Sequence, residues 1–243
     1  MRNWHPFLVD TLREMRAAGV RRAVGFIAAP HHTYSSCQQY KENVADARKA
    51  LRSDGADIEI TYVDSWYDHP LFIDVNARHV RAAAERLPSG VRPSARLVFT
   101  AHSIPEPMAQ ASRYRQQLLE SSRLVAERAG LRDWALVYQS RSGRPEDPWL
   151  EPDIGAYLRS ERSRGLEAAI LCPIGFVCDH IEVLYDLDRE AADVAYEIGL
   201  PMVRAEAVNA DPLFLDMMAD VVLRTIRRYE HGRPLPIVPG RAG

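Results

Sequence analysis

The sequence predicts an α/β protein built of parallel strands covered by helices. Three observations carry that expectation. Short apolar runs rich in branched residues recur at 23–29, 58–63, 96–100, 134–139 and 168–172. Segments with apolar residues at helical spacing lie between them. The two periods alternate along the whole chain, and strands that alternate with helices pair in parallel under helices on both faces.

Each element follows in order. Phe7, Leu8, Leu12 and Met15 recur at helical spacing, and Gly19 stands where a helix would stop. Ala23–Ala29 reads as a buried strand ended by Pro30. Cys37–Leu51 reads as a helix, Ile58–Val63 as a strand of β-branched residues, and 70–86 as a helix ending near Pro88. Pro88–Pro93 is the expected boundary between domains at 1–88 and 89–205. Arg96–Thr100 is a strand, 112–129 a helix stopped by Gly130, and Trp134–Gln139 a strand. Ala168–Cys172 is a strand, and a long helix is expected from Asp179 to Ile198. Met202–Arg204 reads as a last short strand. Residues 211–230 form a terminal helix, with Asp211 as N-cap and Pro212 in the first turn, and 231–243 read as a disordered tail.

Composition excludes several classes of function. The 243 residues are 47% hydrophobic and 26% charged, with a net charge of −2. That balance suits a globular chain and offers no basic excess for nucleic acid. No apolar run reaches the roughly 18–20 residues that span a bilayer, and the N-terminus lacks a signal-peptide pattern. The expectation is a cytoplasmic monomer, with peripheral contact to a membrane surface left open. Cys37, Cys172 and Cys178 are scattered and form no CxxC pair, which argues against disulfides and structural zinc. Neither GxGxxG nor a Walker loop occurs, so no nucleotide cofactor is expected.

In parallel α/β folds, ligands meet the carboxyl ends of strands. Those ends carry Pro30-His31-His32-Thr33-Tyr34, Asp64-Ser65-Trp66-Tyr67, Ala101-His102-Ser103 and Pro173 to Glu182. His102 follows an apolar strand, and imidazole accepts a proton or binds a divalent metal near neutral pH. A histidine there reads equally well as one bonded to a neighbouring loop. Glu182 lies three residues after Asp179, the spacing of a capping box. Glu182, Asp186 and Glu190 also recur at i, i+4 and i+8, offset by about 40° per step on an α-helix. Such a row reads either as a solvated acidic face or as a series of carboxylates handing a cation inward. Trp149 reads as a packing anchor, and Cys172 and Cys178 as inert small apolar residues.

The strings FTAHSIP (99–105) and CPIGFVCDHIEVLYDLD (172–188) resemble the two active-site motifs of ferrochelatases. The resemblance extends through WHPFLVDTLREM, APHHTYSSCQQY, VDSWYDHPLFI, YQSRSGRPEDPWLEPD and VNADPLFLDMMADVVL, in order, over nearly the whole chain. It implies two doubly wound, Rossmann-like domains with a porphyrin cleft between them, the C-terminal helix 211–230 joining the first. It implies insertion of Fe(II) into protoporphyrin IX or coproporphyrin III, with iron as substrate and no cofactor required. The catalytic pair falls on His102 and Glu182, and a metal line on His102, Glu182, Asp186 and Glu190. His31, Tyr34, Tyr138 and Ser103 fall at porphyrin-contacting positions. Cys37 matches a cluster cysteine of some relatives, whose further cysteines are missing from this tail, so no iron–sulfur cluster is expected.

The resemblance also implies that family members open with a strand, a glycine-containing loop and a basic segment ahead of the point matched by Met1. The first domain is therefore expected to be incomplete, with strands only near 23–29 and 58–63, and the native protein to be longer. A cobalt or nickel chelatase of a related tetrapyrrole pathway, or a non-catalytic tetrapyrrole-binding remnant, are the competing functions.

Overall fold

A computed structural model describes residues 3–144 and 146–230; the tail expected to be disordered lies outside the described residues. The chain divides into two compact units, one of Met1–Ala28, Thr33–Ser65 and Met218–Gly243, the other of Ala29–His32 and Trp66–Met217. The division falls after Ser65 rather than near Pro88–Pro93. The helix α3 (Pro70–Ala84) explains the difference. It buries Phe72, Ile73, Val75, Ala77, Val80 and Ala83, and the elements beneath that apolar stripe belong to the second unit. No helix among the described residues is long and apolar enough to cross a membrane.

The smaller unit contains α1 (Leu8–Ala17), β1 (Arg22–Gly25), α2 (Gln39–Ser53) and β2 (Glu59–Tyr62). Gly19 ends α1 as expected: its φ of 86° is a left-handed conformation that favours glycine, and Val20 N–H closes back on Met15 O at 3.0 Å. The strands pair in parallel from Arg22 opposite Glu59 to Gly25 opposite Tyr62. They are shorter than the apolar runs suggested, because the last bond is Val63 N–H to Gly25 O. Gly25 has a packing reason too: a Cβ there would stand 2.7 Å from the Tyr62 ring. Leu12, Ala47, Leu51 and Ile58 form the core, ringed by Leu8, Val9, Met15, Val20, Ala23 and Ile60. Ahead of α2, Tyr34–Gln38 winds as a π-helical turn capped reciprocally by Thr33 and Ser36.

The larger unit holds β3 (Ala95–His102), β4 (Trp134–Gln139), β5 (Ala168–Cys172) and β6 (Met202–Arg204) in one parallel sheet of order β4-β3-β5-β6. Strand β3 runs two residues beyond the expected end, since Ala101 and His102 still pair with Tyr138 and Gln139. One face carries Val98, Val137, Ala169 and Leu171 against α6 (Ile154–Ser163) and the helical segment 181–197, through Leu158, Val183, Leu187 and Ala195. Leu97, Phe99 and Ala101 alternate to the other face, where α3 and α5 (Tyr114–Ala129, preceded by the short α4, Glu106–Gln110) pack. Each fully buried Leu, Val, Ile or Phe here stabilises the fold by about 1.5–3 kcal/mol. The sheet is therefore doubly wound. Its order reverses at β3: the chain steps to β4 on one side, then crosses back to β5 on the other. The ends of β3 and β5 thus flank the switch point where such sheets bind ligands.

The expected long helix from Asp179 is broken into α7 (Ile181–Tyr185), a π-helical segment (Asp186–Ala191) and α8 (Ala192–Glu197). The terminal helix α9 (Pro212–Glu230) starts as expected, with Asp211 Oδ1 accepting from Leu213 N–H at 2.9 Å.

Candidate functional site

His102 is the last residue of β3, half-buried. Its Nδ1 meets the carbonyl of Ser103, which only accepts, so Nδ1 donates and Nε2 is the ring nitrogen left for a proton or a metal. Tyr114 Oη donates to His102 O at 3.0 Å and ties the strand end to α5. Burial, with the neighbouring Tyr138 second, pushes the Tyr114 phenol well above its ordinary range, so it stays a donor.

The loop after β5 crosses directly over β3. Gly175 N–H bonds Thr100 O at 3.1 Å, and a Cβ at Gly175 would fall 2.6 Å from Ala101 Cβ. Only glycine lets the two backbones approach so closely. The crossing delivers His180, Glu182 and Asp186 to the His102 end of the sheet.

The cap of α7 differs from the expected capping box. His180 is the N-cap, its Nδ1 accepting from Glu182 N–H at 3.2 Å, with its ring edge-on to Phe176 at 5.2 Å. Asp179 is committed elsewhere: it accepts from Arg204 at 2.8 Å, from Asn209 Nδ2 at 2.8 Å and from Ala207 N–H at 3.2 Å. The exposed Glu182 side chain is therefore not recruited as a reciprocal cap.

The π-helical segment alters the acidic row. On an α-helix four residues overshoot one turn by about 40°. A turn closed by i→i+5 bonds is wider, and four residues fall short of it instead. The drift from Glu182 to Asp186 is thus partly reversed from Asp186 to Glu190. Glu182 and Glu190 are exposed and Asp186 is half-buried. Gln139 Nε2 donates to Glu182 O at 3.2 Å and to Asp186 Oδ2 at 3.4 Å, and Ser140 Oγ also donates to Asp186 Oδ2. Among the described residues no three His, Cys, Asp or Glu side chains converge as a ready metal-ligand set.

The residues expected at porphyrin-contacting positions have the following surroundings. His31 is buried, with Nε2 at 3.0 Å from Ser121 Oγ, and its ring is edge-on to Tyr114 at 6.3 Å. Ser121 gives its own hydrogen to Tyr67 O at 2.7 Å, so His31 Nε2 donates. Tyr138 is 2% exposed and faces the α5 side with Ala101, whereas Gln139, the next residue, faces the same side as His102. Ser103 is 2% exposed, and its hydroxyl donates to Leu150 O at 2.8 Å. Tyr34 belongs to the smaller unit, where its hydroxyl donates to Glu42 at 2.9 Å. Trp149 packs as expected, its ring lying over Gly143.

Burial lowers the His31 pKa from 6.5 to about 3. Between those values the unfolded chain binds a proton that the folded chain refuses. Stability contributed by the neutral ring is complete above pH 6.5 and is lost as pH falls toward 3, at up to about 1.4 kcal/mol per pH unit. Urea unfolding of the wild type and His31→Gln across that window should show the steeper acid loss in the wild type. Parallel slopes would refute the assignment.

The sequence model described as Ferrochelatase matches residues 1–226. The chain belongs to the ferrochelatase family. It is 44% identical over 224 residues to the coproporphyrin III ferrochelatase of Mycolicibacterium vanbaalenii, covering 91% of this chain and 66% of that protein. It is 42% identical over 243 residues to the coproporphyrin III ferrochelatase of Mycolicibacterium smegmatis, covering 97% and 71%. It is 45% identical over 223 residues to the ferrochelatase of Rhodopirellula baltica, covering 91% and 62%. The chain thus spans about two thirds of the length of these relatives. Its fold is similar to that of SirB from Bacillus subtilis with Fe3+, at a TM-score of 0.67 and 10% identity over 96% of this chain and 82% of that one. SirB in complex with cobalt gives a TM-score of 0.59 at 11% identity, over 96% and 81%.

Within this ferrochelatase-family chain, sequence reasoning did not single out Gln139, Ser140, Tyr114 or His180. Gln139 and Ser140 lay inside a matched string, read as a strand end and a polar loop. Tyr114 carries no local signal, since its role arises from a contact twelve residues back in the chain.

Proposed function

We infer that this chain inserts Fe(II) into coproporphyrin III. One observation carries the reading. At the switch point of a doubly wound sheet, a histidine with an open Nε2 ends one central strand, and the helix following the other carries Glu182, Asp186 and Glu190. Incorporation of Fe(II) releases two protons from the pyrrole nitrogens. His102 Nε2 accepts a proton or transiently ligates the metal, with Glu182 as its partner. Asp186 and Glu190 extend the row of carboxylates as a route for the cation, a hard-to-borderline ion that takes both imidazole and carboxylate ligands. His31, Tyr138 and Ser103 of the larger unit and, separately, Tyr34 of the smaller one are the positions that the family resemblance assigns to porphyrin binding.

Iron is substrate here and no resident cofactor is needed. The same reading takes the protein as a cytoplasmic monomer. Coproporphyrin III is favoured over protoporphyrin IX because two of the three relatives above are named for it.

The test is an anaerobic insertion assay with both porphyrins. The expected result is turnover with Fe(II) and coproporphyrin III, at least about tenfold faster than with protoporphyrin IX. Equal rates would return the substrate to an open question of pathway, and absence of turnover with both would refute the reading for this chain.

A further inference from the structure

Gln139 ends β4 directly opposite His102, and the two side chains face the same side of the sheet. It is 1% exposed. Its backbone carbonyl accepts from Ser103 N–H at 2.8 Å, which ties it to the His102 turn. Its amide nitrogen donates to Glu182 O and to Asp186 Oδ2, the first in α7 and the second at the start of the π-helical segment. The amide orientation follows from those partners. Reversed, it would set an oxygen against a carbonyl and a carboxylate, neither of which donates.

That orientation leaves Gln139 Oε1 buried without a hydrogen-bond partner. Thr100 Oγ1, two residues before His102 on the same face, is buried in the same condition. A buried unsatisfied group costs stability, and an apolar residue of similar shape would avoid the cost. A glutamine at this position is therefore poorly explained by packing. The contacts of its nitrogen explain it: no other described side chain bonds both Glu182 and Asp186.

We propose that Gln139 is the positioning residue of the metal-inserting site, fixing the Asp186 carboxylate and the first turn of α7 against the strand end that carries His102. Glu182 takes its placement from that turn. The proposal rests on the functional reading above, but its test does not need turnover. Groups that orient metal-binding carboxylates change metal affinity by about 10–100-fold when removed.

The experiment is calorimetric titration of the intact chain with Co(II), a stand-in for Fe(II) that resists oxidation. Gln139→Met keeps the side-chain length and removes both donors. It should weaken Co(II) binding by about tenfold or more, with a melting temperature close to that of the wild type. Asp186→Asn should weaken binding too, and the double variant should lose little beyond the larger single loss, as expected of coupled residues. Where Gln139→Met yields no folded protein, Gln139→Asn, which keeps the amide one methylene short of its partners, carries the same expectation. Co(II) binding within about twofold of wild type in a folded variant would overturn the proposal, as would additive losses or no Co(II) binding by the wild type. Failure of insertion with Co(II) binding and its Gln139 dependence intact would sink the functional reading and leave the positioning role standing.

Discussion

His102→Ala should lower the rate of iron insertion by about 10²–10⁴-fold, the range that one positioned acid–base group contributes. The variant should remain folded. His102 is half-buried, and its ring makes one hydrogen bond, to the adjacent Ser103 carbonyl. The strand is held independently by the β3–β4 and β3–β5 ladders and by Tyr114 on the backbone oxygen. Circular dichroism and urea unfolding should therefore stay near wild type while turnover collapses. Added imidazole should restore part of the rate, because the lost group is a diffusible base and ligand. Turnover within about threefold of wild type would remove His102 from the mechanism.

Much of this site was legible in the residues alone, for physical reasons. A strand of branched residues followed by His-Ser-Ile-Pro announces a histidine at a strand end. A strand followed by Pro-Ile-Gly announces a turn into a helix. Long-range partners were not legible. Asp179 and His180 are both competent N-caps, and local chemistry favours Asp179. Arg204 and Asn209, 25 and 30 residues away, draw Asp179 off and leave the cap to His180. The π-helical turn at 186–191 was hidden for a related reason: Leu187 and Ala191 are buried four apart, which an α-helix satisfies equally well. Nor were the surroundings legible for Tyr138 and Ser103, which the resemblance put at porphyrin-contacting positions. Strand alternation sends Tyr138 to the opposite face, and the carbonyl of Leu150, 47 residues away, takes the Ser103 hydroxyl.

The domain boundary shows the same limit. Proline-rich 88–93 looks like a linker, yet α3 before it has an apolar stripe that the four-stranded sheet and α5 cover. Burial of that stripe outweighs the local signal, because Phe72, Ile73, Val75 and Val80 each contribute about 1.5–3 kcal/mol.

Gly175→Ala is expected to have the largest effect among substitutions that add a single carbon. The new Cβ would stand 2.6 Å from Ala101 Cβ and 2.7 Å from Ala101 Cα. Neither neighbour is the end of a flexible side chain. Ala101 is fully buried in the central strand, so the loop must move. Overpacking of this kind costs about 1–3 kcal/mol. For a chain of this size each kcal/mol lowers the melting temperature by about 2–4 °C. The displacement also has a direction. Gly175 N–H is bonded to Thr100 O, and lifting it carries the loop that leads to His180 and Glu182 away from His102. Insertion activity should fall more than stability alone explains, measured at a temperature where the variant is still folded. Gly90→Ala is the control, since nothing lies within 4 Å of a Cβ there. Its stability should stay within about 0.5 kcal/mol of wild type. Ala101→Gly in the Gly175→Ala background should recover part of both losses. It removes the clash between the two methyl groups and leaves the new methyl pressed against the strand backbone. A Gly175→Ala variant that melts and turns over as the wild type does would mean that the loop crosses β3 at a looser distance, and that the position of α7 is not set by this glycine.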